Sequence, residues 1–358
     1  MDTLKDDIVK IIQAGVMAPS ADNLQPWKFT VNDHSIHIFA ALTDESDVII
    51  NQSMHSLCIG YGALIENIVI SAKHFGYIAT VSLFPDSEDV LHIATVSLER
   101  SAEISEDTLY AHIHDRVTNR NTYTSEPLTP EQKKSFENVP NELGIDAKIL
   151  VVENQRTIRS LAKEVVTQVR MLLSHRLLQK EFYSSMRWTL KDVEKTRDGL
   201  DVRTLELDPI KRTAFHLILS SWTVTKVMNF FRVEHLIAYI ESFLYRTAGA
   251  YYAIVFLGDS RDDYINAGRI LERMWLIATK EGLSVQPTEA TLLIKKTLDD
   301  NEALYTKEQK VRLTKSAEKI YDLYGVQKTE KLLFMFRVGK CKKTPHRSIR
   351  KEPDIAFQ

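Results

Sequence analysis

Two helical segments that share one pattern of residues constrain the fold of this chain more than any other feature. Glycine, glutamate, alanine and glycine recur at the same offsets, at Gly62, Glu66, Ala72 and Gly76 and again at Gly268, Glu272, Ala278 and Gly282. Apolar residues fill the helical spacing between them, and each segment ends at a glycine suited to a helix C-cap. The pattern indicates an internal duplication, although two unrelated amphipathic helices that both end in glycine would also satisfy it.

A polar loop near the N-terminus joins an apolar helix to a strand. Pro19 ends the helix, because proline removes a helical hydrogen bond and pushes the preceding residue out of the helical region. Hydroxyl and amide groups follow at close spacing on Ser20, Asn23 and Gln25. Such groups suit hydrogen bonding to a planar ring with polar edges. An ordinary turn-rich loop that places Trp27 in the core is the alternative.

The loop, read as A-P-S-x-x-N-x-Q-P-W-x-F, resembles the flavin-contacting loop of the nitroreductase-like FMN oxidoreductases. The resemblance implies an α+β fold, with a mostly antiparallel central sheet flanked by helices, and FMN bound between two subunits. A fused duplicate would reproduce that interface inside one chain. The Acg-like branch of the family, which this chain resembles, is built in that way with a lid. By this resemblance the FMN contacts in the loop are Pro19, Ser20, Asn23 and Gln25.

Arginines must bind the phosphate of such a cofactor, because the chain has 12 glycines and no glycine-rich phosphate motif. Arg116, Thr118 and Arg120 alternate along an extended segment, so their side chains point to one side. Two guanidiniums and a hydroxyl suit a phosphate and a ribityl chain. The segment resembles the R-x-S/T-x-R element of the family, and a solvated, ion-paired arginine pair is the alternative.

The loop that follows the second repeat helix resembles the family's loop at the flavin ring. The resemblance assigns ring contacts to Gln286, Pro287, Glu289 and Ala290, with a backbone N–H near Glu289 and Ala290 reaching flavin N5. Ala290 stands where the family has glycine, which bears on how closely the backbone approaches the ring. No side chain is predicted to be catalytic, because in flavin chemistry the cofactor reacts and the protein positions it.

A basic segment follows the apolar strand at 332–338 and resembles the family's terminal segment, which returns a cation to the phosphate. Arg347 and Arg350 are the two candidates, and the sequence does not choose between them. A solvated basic tail would give the same composition.

The predicted domains are a first half at 1–105 and a second half at 106–358. The second half contains a helical insert at about 155–245, with amphipathic spacing over Arg159 to Leu178. Aromatic residues in this insert favour a lid over the ring, which would exclude water. Packing of the insert's own core is the alternative.

Composition excludes several other classes of protein. A net charge of −2 gives no basic surface for nucleic acid, and the apolar runs are too short to span a membrane. The two cysteines lie far apart, and His112 and His114 have no third ligand nearby, so no metal site is predicted. Acidic residues near the start argue against a signal peptide, so we expect a cytoplasmic protein.

The predicted function is transfer of hydride from NAD(P)H through FMN to a small oxidised acceptor. An FMN-binding or storage protein, whose lid blocks the flavin, is the alternative, and a flavin-free descendant is a third. The expected partner is a small-molecule substrate, and a homodimer of fused pseudo-dimers stays open. Because the Pro19 loop occurs only in the first half, and the Arg116 and Gln286 segments only in the second, one FMN per chain is expected.

Overall fold

The computed structural model describes residues 2–41, 54–103 and 105–358. Within these residues the helices are α1 (Asp2–Gly15), α2 (Met54–His74), α3 (Pro130–Leu143), α4 (Gln155–Val165), α5 (Thr167–Ser174), α6 (Arg176–Ser185), α7 (Leu190–Thr196), α8 (Pro209–Ser220), α9 (Trp222–Phe230), α10 (Val233–Tyr245), α11 (Arg261–Lys280), α12 (Ala290–Asp300) and α13 (Lys307–Tyr324). The strands are β1 (Trp27–Asn32), β2 (Ser35–Ala40), β3 (Tyr77–Leu83), β4 (His92–Arg100), β5 (Lys148–Val152), β6 (Met186–Arg187), β7 (Leu200–Asp201), β8 (Ala250–Phe256), β9 (Ser284–Pro287), β10 (Lys331–Gly339) and β11 (Ile355–Phe357).

The first sheet has the strand order β11-β1-β2-β4-β3. Its neighbours are antiparallel except β1 and β11, which run parallel. Side chains of β1 alternate between buried and more exposed, as in a sheet with one face on the core, and α1 and α2 supply that core. The strand β11 follows all the other strands in sequence, but it pairs with β1 and so completes the sheet that β1 to β4 form.

The second sheet has the order β5-β8-β10-β9 and is antiparallel throughout. All residues of β8 are buried, because helices cover both faces of this sheet. Tyr252 and Ile254 pack into the core shared with α2 and α11, whereas Tyr251 and Ala253 pack against α4, α10 and α13. The insert therefore lies on the face of the second sheet that is turned away from the first sheet's core.

Helices α2 and α11, the two repeat segments, cross at a pair of glycines. A Cβ built on Gly62 would lie 1.9 Å from the carbonyl oxygen of Ile265, and one on Gly268 would lie 2.2 Å from that of Ile59. The two isoleucines occupy the same position relative to the two glycines, so the contacts are reciprocal. Each helix is followed by a strand, β3 or β9. This reciprocity is what a duplicated pair would give, and the duplication itself stays a prediction.

The predicted fold class, α+β with mostly antiparallel strands flanked by helices, is confirmed. The strands form two main sheets rather than one central sheet, with β1 to β4 and β11 in one and β5, β8, β9 and β10 in the other. Both sheets share one hydrophobic core with α2 and α11.

The insert is helical from α4 to α10, but the single helix that the spacing predicts over Arg159 to Leu178 is interrupted. His175 has extended backbone angles, with φ −129° and ψ 113°, and its ring accepts a hydrogen bond from the N–H of Leu178. It thereby caps the start of α6. Val166 separates α4 from α5 with φ −75° and ψ 1°, without a capping hydrogen bond from its side chain. The apolar spacing continues across both breaks, which is why it suggests one helix.

One described helix, at His55–His74, is long and apolar enough to cross a membrane by composition alone. Of its most apolar window, 89% is buried inside the protein. The apolar surface of this helix is therefore used in the core, where α1, α11 and the first sheet cover it.

Candidate functional site

A cavity of about 80 Å³ lies where four separate segments of the chain meet. They are the loop before β1, the extended segment at 116–120, the region of β7 and the segment that follows β10. Eight of the residues predicted to contact a cofactor line it, namely Pro19, Ser20, Asn23, Arg116, Thr118, Arg120, Arg347 and Arg350. The cavity thus combines residues from the first and the second half of the chain.

The loop before β1 is shaped by its own polar side chains. Asp22, Asn23 and Gln25 have φ angles of 44°, 59° and 55°, in the left-handed region that Asn and Asp enter more readily than most residues. The Ser20 hydroxyl accepts a hydrogen bond from the N–H of Gln25 at 3.0 Å. The loop therefore folds tightly and turns Ser20 and Asn23 toward the cavity.

Asn23 and Gln25 also hold the C-terminal segment in place. Asn23 Oδ1 accepts a hydrogen bond from Arg350 at 2.7 Å, and its amide donates to the carbonyl oxygen of Ile349. Gln25 Oε1 accepts from the N–H of Lys351 at 2.8 Å, and its amide donates to the carbonyl of Arg197. Gln25 is buried and does not line the cavity, so the structure brings Asn23 but not Gln25 to it.

Arg116 is a buried cation with a buried partner. Its Nε lies 3.1 Å from Glu272 Oε1, and its guanidinium lies over the ring of Trp275, 4.8 Å from the centroid. Burial lowers the pKa of Arg116, Glu272 raises it, and the like charge of Arg347 lowers it. Burial also raises the pKa of Glu272. One carboxylate thus partly neutralises a cavity wall that carries several positive charges.

The two C-terminal arginines have different surroundings. Arg350 donates to Asn23 and to the carbonyl oxygens of Met17 and Ala18, both at 3.2 Å. Burial and the neighbouring guanidinium of Arg116 lower the pKa of Arg350 to about 9, and Arg347 contributes to this. Arg347 is exposed, lines the cavity and forms no hydrogen bond or ion pair with any residue that the structure describes.

The extended segment 116–120 runs beside β9. Thr118 forms an isolated parallel bridge with Val285, and Arg120 donates to the carbonyl oxygen of Thr204 at 3.2 Å. Asn119, between them, points the other way and donates to the carbonyl of Lys342 at 2.7 Å. Val117, which the alternation predicts on the opposite side, lines the cavity as well, so the predicted alternation holds at Asn119 but not at Val117.

Gln286 and Pro287 lie outside the cavity. Gln286 Oε1 accepts two hydrogen bonds from Arg337, at 2.9 and 2.6 Å, and its amide donates to the hydroxyl of Tyr245. Arg337 is fully buried and lies over the ring of Tyr123, 4.0 Å from the centroid. Pro287 pairs with Phe336 in the second sheet. These contacts fix the backbone that leads into α12.

Glu289 and Ala290 begin α12 and are also separated from the cavity lining. Glu289 is partly buried, and its Oε2 has no hydrogen-bond partner among the described residues. Burial raises the pKa of Glu289 to about 7, against the opposing effects of nearby backbone N–H groups and of Arg120. Arg120 lines the cavity and also acts electrostatically on Glu289, so it lies between the two parts of the predicted site.

Residues 185–206, which we call the strap, cover one side of the cavity. Leu200 and Thr204 line it. Asp198 forms ion pairs with Arg187 at 2.6 Å and with Lys351 at 2.7 Å. Further hydrogen bonds tie the strap to the loop before β1 and to the C-terminal segment, from Ser185 to Asp22, from the N–H of Gly199 to the carbonyl of Asn23, and from Arg197 to the carbonyl of Arg350.

The aromatic part of the insert contributes no residue to the cavity lining. Phe215 packs near Phe182 and Trp188, whereas Phe230 and Phe231 are exposed. The two interpretations of the insert therefore apply to different parts of it. The strap covers the cavity, and the aromatic side chains around Phe215 pack within the insert.

Sequence reasoning did not single out three buried polar residues as partners in the site, namely Glu272, Arg337 and Asn119. Glu272 is part of the repeat pattern, and a glutamate inside an apolar helix is a signal of a buried ion pair. Arg337 is a cation inside an otherwise apolar strand, which is a similar signal. Nothing near Asn119 in sequence marks it, because its partners Ser284 and Lys342 are distant.

Metal chemistry has no support among the residues that the structure describes. They contain no group of three or more His, Cys, Asp or Glu side chains placed to hold an ion. Cys58 and Cys341 are both free thiols, and burial raises the pKa of Cys58 to about 12.

Comparison with protein-family models matches residues 1–54 to the family described as "Putative TM nitroreductase". Among curated proteins, the chain is 24% identical over 293 residues to the uncharacterized protein MT1398 of Mycobacterium tuberculosis, covering 79% of this chain. It is 28% identical over 104 residues to the "Putative NAD(P)H nitroreductase acg" of the same organism, covering 28% of this chain. The chain spans 39% and 30% of the length of these two relatives.

Among solved structures, the chain is similar to a "putative nitroreductase" from Anabaena variabilis. The identity is 11% and the TM-score 0.45, and the match covers 86% of this chain and 69% of that one. A nitroreductase with bound FMN from Bacteroides fragilis matches with a TM-score of 0.38 at 11% identity, over 68% of this chain and 96% of that one.

Proposed function

We propose that this chain is an FMN-binding oxidoreductase of the nitroreductase-like family, which passes hydride from NAD(P)H to a small oxidised acceptor. The observation that carries the proposal is the cavity in which the loop at Pro19, the segment at Arg116 and the C-terminal arginines meet. When bound, FMN supplies the chemistry, because its N5 accepts and returns hydride. The residues of the chain bind and orient the cofactor and limit the access of water.

The charge of the cavity suits the phosphate of FMN. Three guanidiniums, those of Arg116, Arg347 and Arg350, act on one another there, and the pKa of Arg116 and of Arg350 is lowered in part by that repulsion. An anion between them would relieve it, and arginine binds phosphate through charge-assisted, bidentate hydrogen bonds.

We assign the phosphate contact to Arg347 rather than to Arg350. Arg350 already donates to Asn23 and to two backbone carbonyls, so it positions the loop before β1. Arg347 lines the same cavity with its donors uncommitted to any described residue. Thr118 and Arg120 would bind the ribityl chain.

For the ring we retain the contacts that the family resemblance implies, at Ser20, Asn23 and the loop from Gln286 to Ala290. Arg120 supports a continuous site, since it lines the cavity and also acts on the Glu289 carboxyl. Gln25 would then act through the loop that it holds, because its polar atoms bind Arg197 and Lys351.

We also propose the division of the chain into halves at 1–105 and 106–358, with the insert at about 155–245. Each half contributes one sheet and one of the two crossing helices. The strand β11 crosses this boundary and pairs with β1, so the halves are interlocked. Residue 104, next to the boundary, lies outside the described residues. A cytoplasmic location, consistent with two free cysteines, is part of the same proposal.

The alternative function, an FMN-binding or storage protein with little turnover, is favoured by one observation. The strap is tied at two points, by the hydrogen bond of Ser185 with Asp22 and by the ion pair of Asp198 with Lys351, and it covers one side of the cavity. A cover that stays closed would retain the flavin and exclude an acceptor.

The absorption spectrum of the purified protein, after incubation with FMN and removal of the excess, tests these proposals. A bound-flavin spectrum that NAD(P)H bleaches anaerobically, and that an added acceptor restores, supports the oxidoreductase. A flavin spectrum that NAD(P)H leaves unchanged supports the storage protein. Failure to retain any flavin would contradict both functions.

A further inference from the structure

An unusually apolar surface lies on the helices of the insert that do not cover the cavity. Of the sixteen large hydrophobic side chains that are exposed among the described residues, nine fall between residues 210 and 243. We call these nine the insert face: Ile210, Leu217, Val227, Phe230, Phe231, Leu236, Tyr239, Ile240 and Phe243. They belong to α8, α9, the turn that follows α9, and α10, and these helices pack against one another in sequence.

Helix α10 is apolar on two sides, and only one of them is covered. Ala238 and Tyr245 face the core formed with α4 and the second sheet. Leu236, Ile240 and Phe243 repeat at helical spacing on the exposed side. A helix that is apolar all round is ordinarily buried all round. The exposed side of α10 therefore has the composition of a surface that another element covers.

Two adjacent phenylalanines form the most exposed part of this surface. Phe230 and Phe231 are 82% and 71% exposed and form an edge-to-face pair with ring centroids 5.2 Å apart. Arg232, which follows, has a φ of 58° and caps the turn into α10. The aromatic pair is held by the turn rather than by packing against the body of the protein. Aromatic residues are enriched in the cores of protein interfaces.

The area of the insert face is that of an interface. Exposed fractions of 49–83% correspond to apolar surface on the order of 1,000 Å², with about 150–250 Å² for a large side chain. One partner contributes about 800 Å² to a stable interface of standard size.

The charge around the face selects the kind of partner. Of the charged residues between 206 and 246, the exposed ones are Lys211, Lys226, Arg232 and Asp208, whereas Glu234 is buried. Three exposed cations on separate elements are fewer than the cluster of about four to eight basic residues that anionic lipid binding uses. So few charges also impose little repulsion between two identical copies, and homodimer interfaces are more apolar than other protein surfaces.

We infer that the insert face binds the same face of a second copy of this chain, in a two-fold homodimer. In such an interface each copy presents the same patch, so the rings of Phe230 and Phe231 would be covered by the partner's apolar residues. This dimer is distinct from the pairing of α2 with α11, which is already satisfied within one chain.

The molar mass in solution tests the inference, by sedimentation equilibrium over a range of micromolar concentrations. We expect the wild-type protein to have twice the mass of one chain. Phe230→Asp and Ile240→Asp should each raise the dimer Kd at least tenfold, because each buries a charge in an apolar interface. Val90→Asp is the matched control, since Val90 is 62% exposed and lies outside the face. It should leave the mass unchanged.

Three results would overturn the inference. They are a wild-type monomer at every concentration, a dimer that both face variants leave intact, and a wild-type monomer that sediments with phosphatidylcholine–phosphatidylglycerol vesicles through the same residues. Far-UV circular dichroism checks that each variant is folded.

A second experiment, amide hydrogen exchange of the wild-type protein at low and high protein concentration, requires no variant. Slower exchange in α9 and α10 at high concentration supports the dimer, and unchanged exchange contradicts it.

Discussion

Individual arginines in the cavity have different tasks, although each carries the same charge. Arg116 is paired with the buried Glu272, and Arg350 holds the loop before β1. Arg347 lines the cavity without a hydrogen-bond or ion-pair partner among the described residues, and it is the arginine that we propose for the ligand. Removal of a guanidinium should therefore affect stability or affinity according to its partners, and the variants can be separated by measuring both.

Replacing Arg347 by alanine should weaken FMN binding by about 1.5–3 kcal/mol, the value of a hydrogen bond to a charged group. The free energy of unfolding of the protein without flavin should not fall and should rise slightly, because no described hydrogen bond or ion pair is lost and the repulsion of Arg347 on Arg116 and Arg350 is removed. Titration of the apoprotein with FMN and urea unfolding measure the two quantities. Lys343→Ala is the control, since Lys343 is exposed, close in sequence and outside the cavity lining. An affinity equal to that of Lys343→Ala would exclude Arg347 from the site.

Arg116→Ala should behave differently from Arg347→Ala. It leaves the Glu272 carboxylate buried without its cation, so we expect a loss of about 3–5 kcal/mol in the free energy of unfolding besides weaker FMN binding. The double variant with Glu272→Gln should regain part of that stability but not the affinity. If Arg116→Ala unfolds like the wild type, the buried ion pair does not contribute as described.

Glu289 should make stability depend on pH. Its folded pKa, raised by burial to about 7, lies above the ordinary value of 4.5. The protonated form is therefore favoured in the folded state, and its contribution is complete below pH 4.5 and lost as the pH rises through 7. Relative to Glu289→Gln, the wild type should lose on the order of 2 kcal/mol between pH 5 and pH 8, less than the full shift because the side chain is partly exposed.

Urea unfolding at both pH values measures this difference. Glu281→Gln, an exposed glutamate that precedes the same loop, is the matched control and should track the wild type. Equal pH dependence in the wild type and in Glu289→Gln would contradict the burial of this carboxyl group.

At the residue scale, the sequence carries information that is local. Arg116, Thr118 and Arg120 line one cavity, as their spacing predicts, but Val117 lines it too, so alternation alone does not describe the segment. The hydrogen bonds of Asn23 and Gln25 could not be predicted, because their partners in the C-terminal segment lie 326 residues away in sequence. Whether any of these residues contacts a flavin stays a prediction.

At the scale of elements, the crossing of α2 and α11 and the strap determine the geometry of the cavity. Glu272 reaches Arg116 from α11, and the loop before β1 contacts α2 near Gly60. Periodicity predicts both long helices, because their apolar faces are continuous. Periodicity misses the break at His175, because a residue distant in sequence determines that break. The His175 ring forms a hydrogen bond with the carbonyl of Leu304.

Gly62→Ala and Gly268→Ala should each destabilise the protein by about 3 kcal/mol or more, because a methyl group would meet the backbone of the facing helix. Gly60→Ala is the matched control in the same helix. Its Cβ would lie 3.7 Å from the nearest atom, so the gain in helix propensity should stabilise by up to about 1 kcal/mol. Thermal unfolding measures all three. Tolerance of alanine at both crossing positions would contradict the close approach.

Loosening the strap should speed access to the cavity. Asp198→Asn weakens the ion pairs with Arg187 and Lys351, so reduction of bound flavin by NAD(P)H or by a small dye should become several-fold faster, without tighter FMN binding. Asp299→Asn, which removes an ion pair with Lys295 away from the cavity, is the control. Stopped-flow traces that coincide for the wild type and both variants would argue against the strap as a cover.

At the scale of the whole molecule, the glutamates of the two repeat helices have different partners. Glu272 pairs with Arg116 beside the cavity, whereas its counterpart Glu66 pairs with Arg269 at 3.1 Å and with Arg273 at 2.6 Å. Both of those arginines belong to α11, so side chains of the protein itself neutralise Glu66. The repeat pattern predicts two related helices. It cannot show whether the cavity lies beside Glu66 or beside Glu272, because that depends on residues between the repeats.

The amount of flavin bound per chain tests the central claim most directly. FMN released by denaturation from the reconstituted protein is measured by absorbance against the concentration of protein determined by amino-acid analysis. Since the Pro19 loop and the Arg116 segment each occur once and meet in one cavity, we predict a ratio near one. A ratio near two would contradict a single site shared by unequal halves, and a ratio near zero would contradict FMN binding altogether.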